Sequence, residues 1–353
     1  MKLKIMITGG CGFIGSNLIR HIIKETNHVI LNIDKLTYAG SKSSLNFLKN
    51  NNRYNFKKID ITNSKKIENI IFKFKPNWVM HLAAESHVDR SIDSPNEFIN
   101  TNINGTYNLL NISRKYFCSL SKKKKKLFKF HHISTDEVYG DLGYHAKLAS
   151  EQNKYLPSSP YSASKASSDH LVRAWHKTFG LPIIITNTSN NFGPYQFPEK
   201  LIPHTILNLI FNKKIPIYGD GKQIRDWIYV EDHVDALLKI INKGQVGETY
   251  NIGGNNQLSN LFVIKKICDT MNKIYFKKNK INFSNSITFV KDRPGHDLRY
   301  GINQNKIYKL LKWKPKTNFS EGIEKTVKWY LNNKKWWNVI LHKGYKLKRK
   351  GKL

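Results

Sequence analysis

The sequence predicts an α/β fold: a doubly wound parallel sheet with a smaller C-terminal α/β domain over one edge. Three observations carry this. Across the first 190 residues, short apolar runs alternate with amphipathic stretches, as βαβ units require. A glycine-rich turn follows the first apolar run and opens a helix-period stretch. After "NFGPYQFPEK" the alternation gives way to a less regular mixture of Pro, Gly and aromatics.

The elements follow in order. Strand-like runs are "LKIMITGG", "HVILNID", "YNFKKID", "NWVMHLAA", "FKFHHIST" and "PIIITNTSN". Helices are expected from Ser16, near 41–50, at 64–74, from about 97 and from 161. "DWIYVEDHVDALLKII" and "ETYNIGG" read as a return to the same sheet. The expected organisation is 1–190 plus about 226–255 as the larger domain and about 191–225 plus 256–340 as the smaller domain. Residues 341–353 read as a basic tail. Ligands of open α/β sheets bind beyond the carboxyl ends of the strands, so the smaller domain closes the site.

Composition narrows the class. With 40% hydrophobic and 12% aromatic residues, the chain can bury a core and does not fit disorder. No run approaches the roughly 18 apolar residues of a membrane span. The N-terminal "MKLKIMITGG" enters a strand pattern at once, so we expect no signal peptide. Three scattered cysteines (Cys11, Cys118, Cys268) fit a reducing cytoplasm and neither a disulfide framework nor a metal site. A formal charge of +34 permits nucleic-acid binding. Most lysines, however, are scattered through every segment. The two true clusters, "SKKKKK" and "HKGYKLKRKGKL", lack interleaved stacking aromatics, so nucleic acid is not the expected partner. Attraction of anionic substrates is the safer consequence.

The glycine turn lies in "MITGGCGFIGSNLI", with Gly10-x-Gly12-x-x-Gly15 and Gly9-x-x-Gly12-x-x-Gly15. Glycine permits close backbone approach, and the helix N-terminus offers free N–H groups to a pyrophosphate. The next strand ends at Asp34, placed for a ribose 2′-hydroxyl. A carboxylate there favours NAD over NADP, although Lys35 beside it weakens the preference. The architecture is therefore Rossmann-type. "SSPYSASKASSDHLVRAW" starts a helix with Pro160 near its first turn and sets Tyr161 and Lys165 one turn apart. An ammonium beside a phenol favours the phenolate, and the pair is suited to taking a proton from a sugar hydroxyl. The strand-end "HHISTDEVYG" places Thr135, Asp136 and Glu137 together, either as a helix cap or as a set of proton-handling groups.

The loop "TGGCGFIG", "HLAAES", Thr135 and "YSASK" together resemble the extended short-chain dehydrogenase/reductases. "DKLTYAG", "HLAAESHVDRSI", "HHISTDEVYGD", "SNNFGPYQFPEKLIP", "QIRDWIYVEDH" and "DRPGHDLRY" are similar to the dTDP-glucose 4,6-dehydratases, over residues 2 to about 338. The resemblance implies a lyase that oxidises dTDP-glucose at C4, eliminates water across C5 and C6, and returns hydride to C6. It would supply dTDP-L-rhamnose or a related deoxysugar. It implies Glu137 as base at C5, Asp136 as acid for the C6 oxygen, and Thr135 beside Tyr161 at the C4 oxygen. NAD would be held by Gly9, Gly12, Phe13, Ile14, Gly15, Asp34, Lys35, Leu36, Thr37, Asp60, Ile61, Leu82, Ala83, Ala84, Glu85, Ser86, Thr101, Tyr161, Lys165 and Asn191. The nucleotide sugar would meet Ser86, Thr135, Asn190, Lys200, Leu201, Pro216, Ile217, Tyr218, Arg225, Asn260, Arg293 and His296. Arg225 and Arg293 suit a diphosphate because guanidinium pairs bidentately with phosphate oxygens. The family also implies a homodimer formed through the helices near Phe98 and Tyr161, with NAD retained between turnovers.

The chain departs from the family at "GYHAKLASEQNKYL", where a longer acidic stretch is usual, and beyond about 340. Another nucleotide-sugar dehydratase, an epimerase or a decarboxylase of this fold, and a non-catalytic basic NAD-binding scaffold are the alternatives. The Asp136–Glu137 pair argues against a simple epimerase. His131 and His132 read as core, Trp336 and Trp337 as a packed terminal helix, and Cys11 as a small loop residue.

Overall fold

The computed structural model describes residues 2–278 and 280–342; the tail beyond 342 lies outside them. Seven strands, β1 (Lys4–Thr8), β2 (Val29–Asp34), β3 (Tyr54–Lys58), β4 (Trp78–His81), β5 (Lys129–Thr135), β6 (Ile183–Thr188) and β10 (Thr249–Ile252), form one parallel sheet. Its order is β10-β6-β5-β4-β1-β2-β3, so the direction of winding switches between β1 and β4. That switch leaves a crevice at the carboxyl ends of the strands.

The alternation in β1 shows how sequence builds the layers. Ile5 and Ile7 enter a core with Leu18 and Ile22 of the helix Phe13–Glu25 and Val234 and Leu237 of the helix Val230–Lys243. Met6 points the other way, toward Ile67, Leu109 and Val172 of the helices Ser64–Phe74, Gly105–Ser119 and Pro160–Phe179. Each such buried side chain contributes about 1.5–3 kcal/mol. The helix Pro160–Phe179 has a capping box between Ser159 and Ser162, Pro160 in its first turn, and Gly180 closing it at φ +66°.

A second core gathers around the remaining strands. β7 (Asn190–Phe192), β9 (Ile224–Tyr229) and β11 (Gln257–Ser259) form a three-stranded sheet, while β8 (Ile215–Tyr218) and β12 (Ile287–Val290) pair in parallel. The helices Leu201–Ile210, Asn260–Ile274, Phe319–Asn332 and Lys334–His342 complete it, with Trp337 buried and Trp336 reaching Ser44 Oγ at 3.1 Å.

Two sequence expectations need correction. "DWIY" does not rejoin the large sheet: β10 takes the edge beside β6, and β9 pairs with β7 and β11 instead. β9 stands between the two cores, sending Ile228 into the first and Trp227 and Tyr229 into the second. The helix expected from about 97 is also broken into Pro95–Phe98, a π-helical turn Ile99–Asn104, and Gly105–Ser119. The wide turn carries Thr101 and Asn102. Asn102 is clamped to both backbone groups of Glu85 (2.9 and 3.0 Å) and to Ser164 Oγ (2.9 Å), tying three segments together.

The segment 143–156 is anchored at several points. Arg299 donates to the carbonyls of Tyr144 and Ala146, and Asn251 engages Ala149 and Glu151.

Candidate active site

A cleft of about 280 Å³ runs along the switch point from the glycine turn to the end of β5. The turn packs against the segment leaving β4. Gly9 has φ +73°, and a Cβ on it would lie 2.6 Å from the Ala83 nitrogen. A Cβ on Gly15 would sit on the Gly9 carbonyl oxygen and 2.7 Å from Gly10 Cα. The helix begins at Phe13, a turn earlier than expected, so its unpaired N–H groups border the cleft. Asp34 accepts from the backbone nitrogens of Cys11 (2.9 Å) and Leu36 (2.7 Å), which fixes its carboxylate at the end of β2. The side chain of Lys35 lies near Thr101 Oγ1 (3.1 Å), Glu85 (3.7 Å) and Asp60 (3.8 Å). Its charge is thus engaged by carboxylates. A cradle closed to any Cβ, a helix N-terminus and a fixed carboxylate suit a dinucleotide with a free ribose.

Most of the expected cofactor residues line this cleft: Gly9, Gly12, Phe13, Ile14, Gly15, Asp34, Lys35, Thr37, Ile61, Leu82 to Ser86, Thr101, Tyr161, Lys165 and Asn191. Leu36 and Asp60 do not. Leu36, at φ +59°, serves Asp34 through its backbone, and Asp60 Oδ1 is held by Thr62. Cys11 is buried, and burial pushes its thiol up to about 12, against a redox role.

Thr135 ends β5, and a 3-10 turn, Asp136–Tyr139, follows it. The Thr135 hydroxyl accepts from the Glu137 nitrogen at 3.3 Å, so the capping role falls to Thr135 alone. Asp136 Oδ2 and Glu137 Oε2 are buried without a partner among the described residues. Burial raises both carboxyls, but unequally. Asp136 is held well above the carboxylate range by burial, by Glu137 and by Asp226. For Glu137, burial is opposed by the cations Arg293, Arg225 and Lys200. Both carboxyls are therefore raised, Asp136 the more strongly, and the cations around Glu137 hold it nearer to its ionised form than its neighbour.

Tyr161 is 8% exposed, and its phenol partners the Thr135 hydroxyl. The expected lowering of this phenol by Lys165 is not what the protein alone produces: burial, then Glu137, hold it above its ordinary value. Lys165 donates to the Ile133 carbonyl at 2.9 Å, and burial lowers its ammonium to about 8. Beneath it, His132 Nε2 lies 3.1 Å from Asp169, and His131 meets Thr186 Oγ1 at 3.2 Å, both rings fully buried. Among the described residues no cluster of His, Cys, Asp or Glu could hold a metal.

A second cavity of about 200 Å³ adjoins the first and shares Glu137, Asn190, Asn191, Gln196, Glu199 and Lys200 with it. Leu201, Pro216, Ile217, Tyr218, Arg225, Asn260, Arg293 and His296 line it as expected, while Ser86 and Thr135 line the first cleft. Arg225 lies 4.3 Å over the Tyr300 ring and donates to the Asp297 carbonyl. His296 meets Asp292 at 2.6 Å, and burial lowers it to about 4. Lys200 donates to the Ser86 carbonyl at 2.9 Å. Several lining residues were not anticipated: His87, Asp89, Gln196, Glu199 and Tyr300. All fall inside the quoted motif stretches, which is the signal that could have found them. Glu199 accepts from Tyr38 and Arg90 at 3.0 Å each, joining the segment after β2 to the segment before helix Leu201–Ile210.

Comparison with known proteins agrees with this geometry. The family model described as GDP-mannose 4,6 dehydratase matches residues 6–326. A dTDP-glucose 4,6-dehydratase of Escherichia coli is 55% identical over 359 residues, covering 99% of each chain. The structure of dTDP-glucose 4,6-dehydratase from Bacillus anthracis in complex with NAD superposes with a TM-score of 0.84 at 39% identity, covering 96% of this chain and 99% of that one. The corresponding DesIV enzyme of Streptomyces venezuelae, with NAD and TYD bound, gives 0.87 at 36% identity, covering 96% and 100%.

Proposed function

The chain belongs to the dTDP-glucose 4,6-dehydratases, and on that premise we propose how its own residues divide the reaction between the two joined cavities. The cleft at the switch point takes NAD and the adjoining cavity takes dTDP-glucose. The products are dTDP-4-keto-6-deoxyglucose and water, feeding deoxysugar synthesis. The observation that carries this is the Asp136–Glu137 pair, in which Asp136 is buried and the more strongly raised and Glu137 lines both cavities beside Arg225, Arg293 and Lys200.

NAD, held at the Gly9–Gly15 turn and by Asp34, would supply the hydride exchange between C4 and C6. Tyr161 takes the proton of the C4 hydroxyl, with Lys165 supporting the phenolate and Thr135 holding the C4 oxygen. The resulting C4 ketone acidifies the C5 proton, which Glu137 removes. Asp136, kept protonated, donates to the C6 oxygen as it leaves as water. Reprotonation at C5 then completes the sugar. Arg225, Arg293, Lys200 and His296 face the diphosphate end. The cations that favour an ionised Glu137 include Arg293 and Arg225.

The deciding experiment follows dTDP-glucose deuterated at C4 through one incubation with protein and NAD. Loss of one water with deuterium at C6 and no net reduced dinucleotide supports the reading. Inversion at C4 without water loss would favour an epimerase, and an unchanged sugar would favour a non-catalytic scaffold.

The division into a dinucleotide-binding part and a sugar-binding part belongs to the same proposal, supported by the two separate cores. So does a homodimer through the helices Gly105–Ser119 and Pro160–Phe179, which leave Tyr107 and Phe179 exposed; a monomer by light scattering would reject it. A cytoplasmic setting is supported by free thiols at Cys11, Cys118 and Cys268. Among the described residues no helix is long and apolar enough to cross a membrane.

A further inference from the structure

One buried carboxylate holds two side chains that line the second cavity. Asp89 is 4% exposed and stands on the short helix Val88–Asp93, just after the segment that leaves β4. Its Oδ1 accepts from Arg293 Nη1 at 2.7 Å, and its Oδ2 accepts from the Tyr218 hydroxyl at 2.9 Å. The partners come from the carboxyl ends of two paired strands, where Tyr218 of β8 stands in register with Val290 of β12. Arg293 and Tyr218 both face the cavity, together with Asp89 itself.

Arg293 is further constrained from below. Its backbone nitrogen donates to Asp292 Oδ1 at 2.8 Å, and Gln223 donates to Asp292 Oδ2 at 2.9 Å. Its Nε is buried and finds no acceptor among the described residues. A buried donor of this kind is expected to have a partner, and a ligand oxygen would provide one. With one N–H of a planar guanidinium fixed on a carboxylate, the remaining donors are presented in a set plane, as bidentate recognition of a phosphate requires. The bland reading is a staple joining the two cores. A staple has no need to grip two cavity-lining side chains beside an unpartnered donor.

We propose that Asp89 is a positioning residue for the diphosphate of the nucleotide substrate, acting through Arg293 and Tyr218. The inference rests on the nucleotide-sugar reading given above. Asp89 carries the charge of the ligand it serves, so direct contact with a diphosphate would be repulsive, and its benefit comes through the guanidinium it orients.

The test is titration of the NAD-loaded protein with dTDP, alongside turnover of dTDP-glucose, in wild type, Asp89→Asn, Arg293→Lys and the double variant. Asp89→Asn is expected to weaken dTDP about tenfold, or about 1.4 kcal/mol. KM for dTDP-glucose should rise with it, while kcat and bound NAD stay within about twofold. Because the larger part of the effect passes through Arg293 and the remainder through Tyr218, Asp89→Asn should cost clearly less than about tenfold in the Arg293→Lys background. Unchanged dTDP affinity, an equal loss in both backgrounds, or a parallel loss of NAD would each overturn the inference. Should Asp89→Asn fail to fold, Asp89→Glu keeps the charge and displaces it by one methylene. A weaker dTDP complex with the same non-additivity is then expected, and unchanged affinity would overturn the idea. If the wild type does not bind dTDP, the nucleotide-sugar reading itself fails and takes this inference with it.

Discussion

Glu137→Gln tests the division of labour most directly. The substitution keeps the shape of a half-buried side chain and removes its basicity and charge. Loss of a positioned general base costs about 10²–10⁴-fold, so water loss should slow by that factor, equivalent to about 3–5 kcal/mol on the barrier. The field of Glu137 also bears on its neighbours. After burial it is the largest cause raising both Asp136 and Tyr161. Without it, the phenol is easier to ionise, so oxidation at C4 should proceed at least as fast as in wild type. The two effects have opposite signs, and they predict accumulation of reduced dinucleotide together with a C4-keto sugar that retains its C6 oxygen. Single-turnover absorbance of the reduced dinucleotide and mass of the sugar read both. Dehydration at the wild-type rate would refute Glu137 as the C5 base. Loss of the oxidation step alone would refute the electrostatic argument.

Three further outcomes follow from particular contacts. Gly15→Ala places a methyl group against the Gly9 carbonyl and Gly10 Cα, so the protein should purify without NAD; NAD content near the wild-type level would count against the cradle. Lys165 is lowered to about 8 by burial, and its protonated form supports the phenolate, so kcat should fall as pH rises through about 8, and Lys165→Met should lose that limb. The same shift acts oppositely on stability: between about 8 and 10.5 the unfolded chain binds more protons, so stability should rise with pH across that window. Asn102→Ala leaves both backbone groups of Glu85 without their partner and should cost about 2–4 kcal/mol, read as a lower denaturant midpoint.

Much of this molecule was legible because the signals were local. The glycine turn, the Ser159–Pro160 helix start and the Tyr161–Lys165 spacing each depend on a few adjacent residues, and the structure forms them where the sequence pointed. The sheet membership of β9 was not legible, since "DWIY" alternates identically whichever sheet receives it. The state of Tyr161 was misjudged for a related reason. Spacing revealed Lys165 one turn away, but it could not reveal the burial or the Glu137 carboxylate that dominate. Asp89 and Glu199 were not singled out, because their partners Arg293 and Arg90 lie 204 and 109 residues away. Side chains that bridge distant segments leave no periodic trace.

β9 serves two cores through alternate residues of one strand, and the helix Val230–Lys243 continues from it without a linker residue. No cut can therefore release either core with its wall intact. The protein should melt in a single cooperative transition, and neither part should survive as an isolated fragment. A grafted sugar-binding part would arrive with half of a foreign interior attached. In this architecture, new substrate preferences are more accessible through single replacements around the second cavity than through exchange of whole modules.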